Sequence, residues 1–206
     1  MALAENRKLL ALEEESKANS HSSILTILIQ RIFKKVNHKI SHVDAIAVSE
    51  GPGSFTGLRI GVAAAKGLCY ALDKPLIAVP TLKAMARGAI EEKKDMNSLY
   101  CPMIDSIKNE IFASLYSHSL NEILSPTPLS ADIKDFIPFL EKKTIFAFGS
   151  GIKKISPHKN LQPLKLPNSS KNMLVLSENL FLEKIFSPLD EFEPLYLKKF
   201  ISLIAT

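Results

Sequence analysis

The stretch Val48–Gly67, VSEGPGSFTGLRIGVAAAKG, decides the fold. The run Val43–Val48 before it reads as a buried strand, and three glycines, Gly51, Gly53 and Gly57, then interrupt the chain. Glycine tolerates positive φ and lets the backbone approach a ligand or another chain closely. A helix over roughly 57–72 follows, with Thr56 expected to cap it and its first amides free, an arrangement that favours anions. The loop is not a phosphate loop of the Lys-Ser/Thr kind, because no Lys follows the last glycine. It is not a dinucleotide fingerprint either: the spacing is Gly51-x-Gly53-x3-Gly57, and the next strand ends Val79-Pro80-Thr81 without an acid. As bare pattern, the segment is either a tight turn with close helix packing or a binding loop.

The helix adds two clues. Gly57, Gly61, Ala64, Ala65 and Gly67 leave it almost without side chain, and Gly57, Gly61 and Ala65, four apart, share one side. Such a face serves tight internal packing or an exposed helix–helix interface. Arg59 falls in the first turn, where a cation opposes the helix dipole, so it is expected to meet an anion or a carboxylate. The choices are a group brought in at the loop beside Ser54, Phe55 and Thr56, or Glu50 just before it.

Working outward, residues 1–15 read as two strands around a turn at Glu5-Asn6. Ile24, Leu25, Leu28, Ile29, Ile32, Phe33 and Val36 recur at helical spacing, with Ser20 as a candidate cap. After the glycine-rich segment come a strand at Leu76–Val79 and a helix from Thr81. This β-α-β-α order predicts an α/β fold with parallel strands. Beyond about residue 98 the pattern changes. LYCPMID and EIFASLY flank a polar turn, Ser106–Asn109, and predict a hairpin, followed by a proline-rich edge at Pro126 and Pro128. A short helix over 130–142, a strand TIFAFGSG, a loop over 157–170 and a helix in MLVLSENLFLEKIF complete the pass. Two lobes are expected, 1–98 and 99–206.

The 206 residues are 46% hydrophobic and 23% charged, enough apolar surface to exclude a largely disordered chain. The N-terminal MALAENRK carries Glu5 and no long apolar region, which predicts no secretory signal, and no uncharged apolar run approaches the ~18 residues of a membrane span. Net charge is +5, but the basic residues are scattered pairs such as Lys153-Lys154 and Lys198-Lys199, expected to be solvated surface rather than a nucleic-acid stripe. Cys69 and Cys101 sit in apolar contexts and read as buried thiols. His38 and His42 straddle a helix end with no Glu between them, so no metal site is expected. Ser54 and Thr56 lie near no His-Asp pair, which leaves nucleophilic catalysis without support. Asp105 and Glu110 read as a solvated hairpin rather than a catalytic pair.

The string GPGSFTGLRIG, with AKGL and VPTL downstream, resembles the signature of the bacterial TsaB (YeaZ) family. Met103-Ile104-Asp105 with Glu110-Ile111-Phe112, Phe148–Gly151, and Pro194-Leu195-Tyr196-Leu197-Lys198 resemble later family segments. The resemblance implies an actin/sugar-kinase-like (ribonuclease-H-like) fold of two lobes. It implies a cytoplasmic, non-catalytic partner of TsaD in making threonylcarbamoyl-adenosine next to the tRNA anticodon. The ATPase TsaE would join the complex, tRNA would be reached through it, and a homodimer is the option in isolation. The chain would need no cofactor of its own, with ATP or ADP and metal on the partner subunits. The helices at 22–36 and 57–72 would form the interface, and Gly51, Gly53, Ser54, Phe55, Thr56, Gly57, Arg59, Gly61 and Ala65 are its candidate residues. Two departures stand out. The sequence begins at what matches the family's second strand, so the fold is expected to be N-terminally shortened by its first strand. The family's Asp-Ala-Arg is Asp105-Ser106-Ile107 here, with Lys108 beside it. The alternative from another class is a kinase-like enzyme that binds ATP between the lobes.

Overall fold

A computed structural model describes residues 1–15 and 21–198. The chain opens with a hairpin, β1 (Ala2–Glu5) and β2 (Lys8–Leu12), turned by Asn6 and Arg7, both in the left-handed region. Helix α1 (His21–Val36) follows, and the expected cap at Ser20 lies outside the described residues. Next come β3 (Ile46–Gly51), α2 (Phe55–Leu72), β4 (Leu76–Pro80) and α3 (Thr81–Lys93). Strands β3 and β4 run parallel, the crossover geometry that the β-α-β order requires.

The largest of three sheets has five strands in the order β7-β6-β5-β8-β9: β5 (Leu99–Asp105), β6 (Glu110–Tyr116), β7 (Glu122–Ser130), β8 (Ile145–Phe148) and β9 (Leu161–Leu164). Its edge strand β7 carries Pro126 and Pro128, where a missing ladder donor costs least. The helix expected over 130–142 is a 3-10 turn at Ile133–Phe136 and one turn of α4 (Ile137–Leu140), because Pro138 stands at its start. The loop expected over 157–170 contains β9, which forms by parallel pairing with β8.

Two cores sit on this sheet. Met103, Ile111, Leu115, Phe136 and Leu140 pack on one side, and Leu82, Ala86, Tyr100, Tyr116 and Phe148 pack beneath α3 on the other. Helix α5 (Leu174–Leu182) returns to the first half of the chain, where Leu176, Leu180 and Phe181 cover Ile77 and Val79 of β4. A helix from beyond the expected division at 98/99 thus packs on the first half of the chain.

The β1–β2 hairpin and the β3–β4 pair are separate two-stranded sheets. Between them lies a cavity of about 590 Å³, lined by Leu3 of β1, Ala47 of β3, Ile29 of α1, Ala64 of α2 and Phe181 of α5.

Candidate functional site: the glycine loop and the outer face of α2

The loop hangs from the C-terminal end of β3. Thr81 Oγ1, at the start of α3, accepts a hydrogen bond from the Gly51 amide at 3.1 Å and shares another with Ser49 Oγ at 2.5 Å. Gly51 has φ +118°, and a Cβ there would lie 2.7 Å from the Leu195 carbonyl oxygen, so both conformation and space demand glycine. The Gly51-Pro52 peptide is cis. Ser54, not Thr56, caps α2: its Oγ accepts from the Gly57 amide at 3.3 Å, and the helix begins two residues earlier than expected. The physical reason is that the cap accepts from an amide three residues on, and Thr56 already lies inside the first turn.

The two faces of α2 are assigned by packing. Val62, Ala65 and Cys69 are buried, with Ala65 only 6% exposed against Cys69 and Leu76. A Cβ on Gly61 would meet Val48 Cγ2 of β3 at 3.9 Å. Gly61 and Ala65 therefore lie on the side of α2 that faces the sheet, where both also line the 590 Å³ cavity. Gly53 in the loop and Gly57 in the first turn of α2 are half-buried. The solvent face is a different stripe: Thr56, Arg59, Ala63, Gly67 and Tyr70, all exposed. Tyr70 is 84% exposed, and nothing lies within 4 Å of where a Gly67 Cβ would stand. Ala63, Gly67 and Tyr70 were not among the sequence candidates. With small residues on both faces, only contact with β3 tells inside from outside.

Arg59 does not pair with Glu50. Its guanidinium carbon stands 3.9 Å from the Phe55 ring centroid, and its Nε donates to the Tyr196 hydroxyl at 3.2 Å. These contacts offset the unfavourable position of a cation at the helix start. The Glu50 side chain is half-buried with no ion-pair partner among the described residues, and desolvation pushes its carboxyl up.

The loop also lines a cleft of about 620 Å³ between the two sheets, with Ser49, Gly53, Ser54 and Thr81 on one wall and Gly149, Ser150 and Lys165 on the other. No Asp, Glu or His lines it among the described residues. Asp105, at the end of β5, is bound by Lys154 and, at 3.2 Å, by Lys153. Lys154 also donates to the carbonyls of Ser106, Lys108 and Glu110 at 2.7, 2.7 and 3.2 Å, while Lys198 pairs with Glu110. Lys154 is thus the knot that ties the β5–β6 turn, not solvated surface. The Lys154 ammonium, helped by Lys153, holds the Asp105 carboxyl below its ordinary range.

Two lobes with a parallel strand pair on one side, a mixed five-stranded sheet on the other and a cleft between them define an actin-like, ribonuclease-H-like α/β protein. The family model described as TsaD: tRNA N6-adenosine threonylcarbamoyltransferase matches residues 13–126. The tRNA threonylcarbamoyladenosine biosynthesis protein TsaB of Haemophilus influenzae is 31% identical over 199 residues, covering 89% of this chain and 82% of that protein. TsaB of Escherichia coli is 33% identical over 103 residues, 50% of this chain and 44% of that protein. A solved Pseudomonas aeruginosa structure, described as an uncharacterized protein with similarity to peptidase YEAZ, superposes with TM-score 0.83 at 23% identity, covering 96% of this chain and 93% of that one. The chain belongs to the TsaB (YeaZ) family.

Proposed function

We propose that this chain is a non-catalytic subunit in the biosynthesis of threonylcarbamoyladenosine in tRNA, and that it acts in the cytoplasm by docking the outer face of α2 on a TsaD transferase. The observation that carries the reading is the exposed stripe Arg59, Ala63, Gly67 and Tyr70. A helix face with a flat, small centre, a cation at one end and a bare aromatic at the other fits close helix–helix approach with an aromatic anchor. The ATPase TsaE would join through TsaD, tRNA would be reached through the complex, and ATP or ADP and metal would sit on those subunits. No helix among the described residues is long and apolar enough to cross a membrane.

The cleft favours one rival reading, an ATP-binding enzyme of the kinase-like class. Phosphoryl transfer needs carboxylates to hold Mg²⁺ and to orient the nucleophile. The described cleft lining offers none, and Asp105 is engaged by two lysines. The deciding experiment is reconstitution of tRNA modification with TsaD and TsaE, with and without this chain. Modification that depends on the chain, while the chain alone neither binds nor hydrolyses ATP, supports the subunit reading. Saturable micromolar ATP binding, one site per chain, supports the rival.

A further inference from the structure

The segment Pro194–Lys198 touches three distant parts of the molecule. The Leu195 amide donates to the Glu50 carbonyl at 2.7 Å, at the end of β3. The Tyr196 ring lies 5.1 Å from the Phe55 ring, and its hydroxyl accepts from Arg59 in the first turn of α2. Lys198 reaches Glu110 on β6 of the other sheet. Upstream, Lys66 of α2 holds the carbonyls of Asp190 and Phe192 at 3.4 and 3.0 Å. The closeness of the Leu195 carbonyl to Gly51 means that this segment packs directly on the loop.

The consequence falls on Arg59. The Phe55 ring takes one face of its guanidinium, and Tyr196 takes Nε. The outer edge, Nη1 and Nη2, has no partner among the described residues. A guanidinium presents that edge to a carboxylate as two parallel N–H donors. A fork already held from two sides loses less side-chain freedom on meeting its acceptor.

We propose that Pro194–Lys198 is a latch in which Tyr196 positions Arg59, so that the free guanidinium edge receives a carboxylate side chain of the partner subunit. Tyr196 is a positioning residue and touches the partner only through Arg59. This rests on the TsaD-docking reading above, and two measurements keep the claims apart.

The first needs no partner. In ¹⁵N-labelled chain the Arg59 Nε–H resonance should be resolved and slow to exchange, and in Tyr196→Phe it should collapse to the position and exchange rate of a free arginine. An unchanged resonance overturns the latch whatever the partner does. The second is titration of the TsaD transferase of the same organism into wild type, Tyr196→Phe, Arg59→Ala and the double variant. Expected losses of affinity are about three- to tenfold for Tyr196→Phe and tenfold or more for Arg59→Ala. The double variant should be no weaker than Arg59→Ala alone, because the hydroxyl acts only through the guanidinium. Losses that multiply overturn the latch and leave the docking reading standing. Absence of binding by wild type, with the resonance behaving as expected, overturns the docking reading and with it the carboxylate receptor.

Discussion

Arg59 Nε donates to the hydroxyl of Tyr196, 137 residues further along the chain, at 3.2 Å. The bond joins the first turn of α2 to the end of the described chain and makes the glycine loop a two-segment site. It explains why an arginine is tolerated where the dipole disfavours it. Arg59 itself lies on the exposed stripe that continues through Ala63, Gly67 and Tyr70.

Removing the arginine should therefore separate stability from association. Arg59→Ala loses one exposed hydrogen bond and one exposed ring contact, about 1 kcal/mol or less. The thermal midpoint should stay within a few degrees of wild type, while co-purification with TsaD and tRNA modification fall. Full modification activity in the reconstituted system would end the functional role given to Arg59.

The inner face of α2 should respond in the opposite way. At Gly61 a Cβ meets only Val48 at ordinary contact distance. Gly61→Ala should raise stability in urea by about 0.5–1 kcal/mol through helix propensity. Ala65→Leu, forced between α2 and Leu76, should cost about 1–3 kcal/mol. Equal destabilisation by the two changes would show that the packing of this helix has been misassigned.

Lys154 should be worth more than a surface lysine. Its ammonium bonds three turn carbonyls besides Asp105, and although the Glu110 carbonyl keeps the Ser106 amide and the Lys108 carbonyl can turn to water, Lys154→Ala should cost about 1 kcal/mol. A change below 0.5 kcal/mol in urea unfolding would contradict the knot.

The same cluster sets an acid response. The Asp105 carboxyl is held below its ordinary value of 3.8, first by Lys154 and then by Lys153. A depressed folded value contributes stability that is fully present above the unfolded value and lost as pH falls through the folded one. Between about pH 5 and the acid limit, Asp105→Asn should flatten the decline of stability seen in wild type. Parallel pH profiles would remove Asp105 from the acid response.

Much of this was legible in the sequence because its signals are local. The glycine at positive φ, the parallel pair around α2 and the β5–β6 hairpin all follow from short-range chemistry, while the first turn, read at Glu5-Asn6, falls one residue later at Asn6-Arg7. Strand β9 was not, because Gln162 and Pro163 give it no strand pattern and pairing with β8 creates it. The working face of α2 was not, because Gly61 and Gly67 look alike in sequence and differ only in whether Val48 stands opposite. The Arg59–Tyr196 contact joins residues too far apart for any periodicity to show. The Lys154 knot hid in a basic pair that looked like ordinary surface.

The central claim is that the outer face of α2 docks on TsaD, and a charge planted in its bare centre tests it most directly. Gly67→Arg places a long cation on an exposed position where nothing lies within 4 Å of the added Cβ, so the isolated chain has room for it. The measurement is the affinity of wild type and Gly67→Arg for the TsaD transferase, read beside their thermal midpoints. The account predicts a loss of at least a hundredfold in affinity with the midpoint within about 3 °C of wild type, because replacing an exposed helical glycine is itself slightly favourable. Wild-type affinity in Gly67→Arg would contradict it.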